Sequence, residues 1–237
     1  MSMGPPEPTF ENRRPRGLAA TLTAALGMTL LAAASIAAPT PQPLASGDGQ
    51  QEWQFRVLLD GDEIGYHRFQ LSQQDGLYRL KSEAEFKVRF LFFDAYRYRH
   101  VNEEIWRGDC LQRIDARTRV NGKAIAVRGE RVDEGFVVAT DEQEKMLAEC
   151  VMSFAYWNPE FLDQERLLNS QTGEYQPVSI QTVGEEQLQI RGERVDAIRY
   201  SLDAEKLDMD LWYTPDRQWL ALESETKGGR MLRYELR

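Results

Sequence analysis

Two histidines, His67 and His100, are the chain's only imidazoles, so any acid–base or metal chemistry that needs one must use them. Neither has a cysteine or a second histidine at ligand spacing, which argues against a metal site. His100 could support proton transfer if a carboxylate reached its ring, and Glu103 and Glu104 follow it closely. Adjacent side chains of a strand point to opposite faces, so His100 shares its face with Tyr96, Tyr98 and Glu104, not with Glu103. His67 falls on a common face with Phe69 and Leu71. Ser153 stands in no Gly-x-Ser-x-Gly elbow, and no glycine-rich phosphate loop occurs. The acidic neighbours Glu103/Glu104 and Glu185/Glu186 diverge in extended chain, whereas glycoside cleavage needs convergent carboxylates. These patterns designate no catalytic residue, metal or cofactor.

Recognition chemistry is better represented. Tyr156, Trp157, Asn158, Asn169, Gln171 and Thr172 bring flat apolar faces together with neutral hydrogen-bonding groups inside one irregular stretch, Ser153 to Gly173. Such a mixture suits a site for a neutral amphipathic ligand, in which rings supply contact and amides fix orientation. With Tyr98 and His100 from the neighbouring strand pattern, the candidate ligand-binding set is Tyr98, His100, Tyr156, Trp157, Asn158, Gln171 and Thr172. The structural alternative stays open, because buried loop backbone also needs partners of these types. Asn158 before Pro159 and Glu160 reads as an N-cap with Pro at the first helical position, which predicts a short helix from Pro159 to about Leu168. Phe161, Glu165 and Leu168 would form its stripe, and its bland role is a plug in one mouth of a barrel.

The elements that must position these residues are strands. Trp53, Phe55, Val57 and Leu59 share one face, Asp60 to Glu63 makes a turn, and a long third strand alternates Tyr78, Leu80, Ser82, Ala84, Phe86, Val88, Phe90 and Phe92 with charged residues. Small Ser82 and Ala84 between large neighbours suggest a bend or close approach across an enclosed interior. Strands continue over Ala95 to Trp106 and Leu111 to Val120. The Asn121-Gly122 pair signals a type I′ hairpin. Further strands follow over Ala124 to Arg131 and Gly135 to Thr140. After the irregular stretch come Gln176 to Val183, Glu186 to Arg191, Val195 to Leu202, Leu207 to Tyr213, Gln218 to Glu225 and Arg230 to Leu236. Roughly a dozen antiparallel strands cannot stay flat, so the expected fold is all-β, a curled sheet or an open or closed barrel with one short helical insertion.

Residues 1–37 read as a signal peptide and residues 38–50 as a Pro/Gly/Ser linker, leaving one domain over 51–237. Arg13, Arg14 and Arg16 precede an uncharged Ala/Leu/Thr run, and Ser35 and Ala37 mark cleavage near Ala37; an uncleaved anchor is the competing reading. Export to the periplasm places Cys110 and Cys150 in an oxidising compartment, where a single disulfide is the economical pairing and two free thiols the alternative. A net charge of −9 without a Lys/Arg block argues against nucleic acid, and membrane contact is expected only through the export signal.

At SFAYWNP (Ser153 to Pro159), LLNSQTG (Leu167 to Gly173), EEIWRGDCL (Glu103 to Leu111) and LWYTPD (Leu211 to Asp216) the chain resembles a family of secreted, β-rich bacterial proteins classed as a domain of unknown function. The likeness runs over almost the whole mature domain, and it implies the fold but no activity. More distantly, the opening hairpin and long third strand are similar in topology to open-barrel proteins that handle lipids or lipoproteins in the bacterial envelope. The aromatic inner face of Phe55, Phe69, Phe86, Phe90 and Tyr98, with the irregular stretch at one mouth, gives the expected function: a monomeric, non-enzymatic binding or carrier module for a lipid-like or apolar small molecule. The alternatives are an enzyme built on Tyr156, Asn158 and His100, and an assembly module that pairs through a sheet edge.

Overall fold

Alternation of apolar and polar residues builds one antiparallel meander, described by a computed structural model for residues 49–90, 93–205, 207–226 and 228–237. These residues belong to the compact unit Gln42–Arg237. The expected signal peptide, the linker up to residue 48 and the side chain of Phe90 lie outside the described residues. The first half runs through β1 (Gln50–Leu59), β2 (Asp62–Gln74), β3 (Leu77–Phe90), β4 (Phe93–Arg107), β5 (Cys110–Val120), β6 (Lys123–Val132), β7 (Gly135–Thr140) and β8 (Glu144–Leu147). The second runs through β9 (Arg166–Leu168), β10 (Tyr175–Ile190), β11 (Glu193–Ala204), β12 (Leu207–Tyr213), β13 (Trp219–Glu225) and β14 (Met231–Leu236).

Each half zigzags strand by strand, and β1 pairs with β14 to join them into one 14-stranded sheet whose edges are β8 and β9. The sheet is therefore barrel-like but not closed. Register shifts in β1, β3, β4, β10 and β12 add local twist of the kind that curls a large sheet. At the β5–β6 hairpin Asn121 and Gly122 take φ angles of 48° and 87°, the pair of positive values that the type I′ turn requires.

Three local expectations change. The two strands expected over 176–183 and 186–191 are one strand, β10, carried past Gly184 by a register shift opposite β11. β8 reads Glu-Lys-Met-Leu, too short and polar to register as alternation. The third correction concerns the helix expected from Pro159 to Leu168. Asn158 does cap it, accepting from the Glu160 N–H, and Pro159 does begin it, but it is a single 3-10 turn over Pro159–Asp163. Two competitors end it. The Arg217 guanidinium donates to the Pro159 carbonyl at 3.0 Å, an acceptor that a continuing helix would need. Beyond it the Leu168 N–H donates to the Met152 carbonyl and the Phe154 N–H to the Leu168 carbonyl, while β9 pairs with β10 on its other side. Strand hydrogen bonds on both sides of Leu168, with Leu167 and Leu168 fully buried, outweigh one helical stripe.

The core lies between the inward faces of the two halves. Phe55 packs against Phe69, Trp219 and Tyr234, bringing β1, β2, β13 and β14 together. The stretch from 151 to 170 fills part of the interior, with Val151, Met152, Ala155, Phe161 and Leu167 buried. A disulfide joins Cys110 at the start of β5 to Cys150 at the head of this stretch, and the Leu111 N–H donates to the Val151 carbonyl beside it. The chain therefore enters its irregular part pinned to the sheet.

Candidate functional site

Cross-strand register determines which inward side chains meet. His67, Ala84, His100 and Thr118 lie opposite one another across β2 to β5; Phe69, Ser82, Asn102 and Ala116 form the next row, and Leu71, Leu80, Glu104 and Ile114 the one after. On β3, Ala84 stands between His67 and His100, and Ser82 stands beside Asn102. Small side chains there leave space that a Leu or Phe would fill.

The space is a cavity of about 160 Å³. Its floor is His67, Ser82, Tyr98, His100, Asn102 and Glu104. Phe154, Tyr156, Trp157 and Asn169 to Gln171 close it from the irregular stretch, and Met209, Leu222 and Tyr234 from the other half of the sheet. The space equals about five waters at liquid density. It suits a molecule of a handful of non-hydrogen atoms.

The polar floor is organised in two parts. His67 Nε2 lies 2.8 Å from Ser82 Oγ and its Nδ1 3.4 Å from the Tyr234 hydroxyl, with the ring stacked on Phe69. His100 Nδ1 lies 2.9 Å from Thr118 Oγ1, and its Nε2 3.4 Å from Ser170 Oγ. Burial pushes both imidazoles down, His67 well below its usual value and His100 to about 4, so both are uncharged at neutral pH. Burial raises the phenols of Tyr98, Tyr156 and Tyr234 as well, so these hydroxyls stay protonated.

Glu104 forms the second part and is only 2 % exposed. Its Oε1 accepts from Asn102 Nδ2 at 2.8 Å and Ser153 Oγ at 3.0 Å, and its Oε2 from Trp106 Nε1 at 2.9 Å. Burial raises its pKa, and the three hydrogen bonds oppose that rise. Two atoms around the cavity are buried without a protein partner: Asn102 Oδ1 and Trp157 Nε1. Buried polar groups are almost always hydrogen-bonded, so such atoms mark a place where a further group can bind.

Of the seven residues singled out in the sequence, the structure brings Tyr98, His100, Tyr156, Trp157 and Gln171 to this cavity. Asn158 is elsewhere: it caps the 3-10 turn and donates to Asp109 Oδ1 at 3.1 Å. Thr172 is exposed and accepts from the Glu174 N–H within a local turn. Both serve the backbone. Asn102 and Glu104 were not in the sequence-based set. Their signal was present, because Tyr98, His100, Asn102, Glu104 and Trp106 alternate on one face of β4 and so put polar groups where the pattern demands apolar ones. Among the described residues no three His, Cys, Asp or Glu side chains are grouped to hold a metal ion.

This architecture has relatives. The sequence pattern of a family described as a domain of unknown function (DUF6134) matches residues 55–237, from the middle of β1 to the last residue. The chain belongs to the DUF6134 family. Comparison of this DUF6134 chain with curated proteins finds no match. Among solved structures it is similar to a β-barrel-like protein of another domain of unknown function, DUF1849, from Brucella abortus, at 10 % identity. The TM-score is 0.56, with 78 % of this chain and 95 % of the Brucella chain covered. At that identity the likeness establishes a shared fold for the DUF6134 domain and leaves its chemistry to its own residues.

Proposed function

We propose that this protein is an exported, non-enzymatic binding or carrier module that holds a small molecule, or one end of a lipid-like molecule, in the cavity over β2 to β5. The observation that carries this reading is the pair of buried, unpartnered atoms, Asn102 Oδ1 and Trp157 Nε1, on the wall of an aromatic-lined space. A fully apolar chain fits less well than a ligand with a hydrogen-bonding group, since it would leave both atoms buried and unpaired. The leader-like N-terminus and the Cys110–Cys150 bridge support action in the periplasm.

Native mass spectrometry of the protein isolated from its own compartment tests the proposal. The expected spectrum shows a mass excess that leaves on denaturation. A bare polypeptide mass, together with no uptake of small probes by the purified protein, would overturn it.

One observation favours a second reading. The Ser82 hydroxyl and the His67 imidazole form the hydrogen-bonded pair that acyl transfer uses, with a phenol where a carboxylate usually orients the base. Covalent labelling of Ser82 by a fluorophosphonate would support hydrolysis, and no labelling removes it. The enzyme expected from Tyr156, Asn158 and His100 has less support, because Asn158 lies outside the cavity that the other two line. Assembly through a sheet edge is also weakly supported: β8 is four residues long and presents exposed Glu144 and Lys145.

A further inference from the structure

We propose that the cavity selects a small organic cation, an ammonium compound that also carries an oxygen, with Glu104 as its counter-charge. This rests on the reading of the cavity as a binding site and names the chemistry of its ligand.

Glu104 is the one carboxyl group among the described residues that line the cavity. All three of its hydrogen-bond partners, Asn102 Nδ2, Ser153 Oγ and Trp106 Nε1, are neutral donors, the arrangement that suits an ionised carboxylate, which can only accept. Among the described residues that line the cavity, none is Lys or Arg. The cationic side chains of β3 and β4 alternate onto the opposite face of the sheet, where Arg99, for example, pairs with Glu83. The two imidazoles nearby are held neutral by burial. Among the described residues no cationic side chain pairs with the Glu104 carboxyl; burial alone raises its pKa, and a bound cation is what would hold it ionised.

The walls match such a guest. Tyr98, Tyr156, Trp157, Phe154 and Tyr234 surround the space, and aromatic faces attract cations through their quadrupoles. Asn102 Oδ1, two residues along the same strand face from Glu104, is an acceptor without a donor, and an ammonium N–H supplies one. Trp157 Nε1 is a donor without an acceptor, and a hydroxyl or carbonyl oxygen on the ligand supplies that. Charge, donor and acceptor are together what an amino alcohol offers. The sequence pattern suggested a neutral guest because Tyr, Trp, Asn and Gln were conspicuous, whereas the inward-facing carboxylate was hidden within an acidic pair.

The test uses two probes of one carbon skeleton: aminomethyl propanol, cationic at neutral pH, and isobutylene glycol, in which a hydroxyl replaces the ammonium. Each is titrated into the full mature protein by calorimetry, with the indole N–H resonances followed by NMR. The expected result is saturable binding of the ammonium probe at least about tenfold tighter than the glycol, as befits a charge-assisted contact. Glu104→Gln, if it retains the wild-type circular dichroism, should bring the affinities of the two probes together. Equal affinities for the two probes in the wild-type protein would overturn the cation while leaving the binding module intact. If neither probe perturbs the Trp157 indole, the cation falls, and native mass spectrometry decides the binding module separately. The comparison of probes needs no variant, so a Glu104→Gln chain that fails to fold still leaves a decisive result.

Discussion

Asn158 and Asn102 are buried almost equally, at 6 % and 5 % exposure, yet they sit in regions built on opposite terms. Around Asn158 the hydrogen bonds close. Its amide caps the 3-10 turn and reaches Asp109, the Tyr213 hydroxyl donates to the Tyr156 carbonyl at 2.8 Å, and Arg217 ties the Pro159 carbonyl to the carboxylates of Glu160 and Asp163. Around Asn102 they stay open, with its own oxygen and the Trp157 indole unpartnered beside a carboxylate that has three neutral donors. One irregular stretch thus serves two purposes. From Asn158 to Asp163 it is a plug held by the sheet, and at Tyr156 and Trp157 it is the wall of a cavity.

That contrast can be broken most forcefully on the packed side. Phe161 is fully buried, edge-on to Tyr156 at 5.6 Å, so Phe161→Ala should cost about 3–5 kcal/mol in urea denaturation. A loss below about 1 kcal/mol would show that the plug is not close-packed.

Acid should act next, and through the cavity. Burial lowers the folded-state pKa of His100 from 6.5 to about 4, so the unfolded chain binds more protons between those values. Its contribution is complete above about pH 6.5 and is lost as pH falls toward 4, on the order of 3 kcal/mol in all. His67 acts in the same direction, and Glu104, whose pKa is raised, in the opposite one. Unfolding free energies measured from pH 7 to pH 4 should fall in the wild type and more gently in His100→Gln.

Smaller effects separate two tryptophans. Trp106→Phe removes a donor from the buried Glu104 and should cost about 1–3 kcal/mol. Asn158→Ala removes a cap and should cost about 1 kcal/mol. Trp157→Phe loses the same ring volume but an N–H that bonds nothing, so it should cost about 1 kcal/mol less than Trp106→Phe. Equal costs for the two tryptophan changes would mean that the Trp157 N–H is satisfied as fully as that of Trp106.

Local chemistry made much of this legible from the residues alone. Asn121-Gly122 called for its turn, the alternation of β3 and β4 sorted inward from outward faces, the two cysteines paired, and Asn158 was recognisable as a cap. Distance in sequence hid the rest. The helix expected over Pro159 to Leu168 ends because Arg217, more than fifty positions away, takes the Pro159 carbonyl. β9 exists because Met152 and β10 supply partners on its two sides. Glu104 read only as half of a divergent acidic pair until the rows across β2 to β5 enclosed it. Composition could point to Tyr156 and Trp157, but which asparagine was spare, Asn102 or Asn158, depended on what each faces.

The most direct measurement is the indole N–H spectrum of the protein as small ligands are added. Trp106, Trp212 and Trp219 already donate to Glu104, Glu186 and the Ala221 carbonyl, whereas Trp157 donates to nothing. Ligand binding in the cavity should move the Trp157 resonance downfield, saturably, and leave Trp212 in place. A Trp157 resonance that stays fixed against every probe while the protein remains folded would contradict the account.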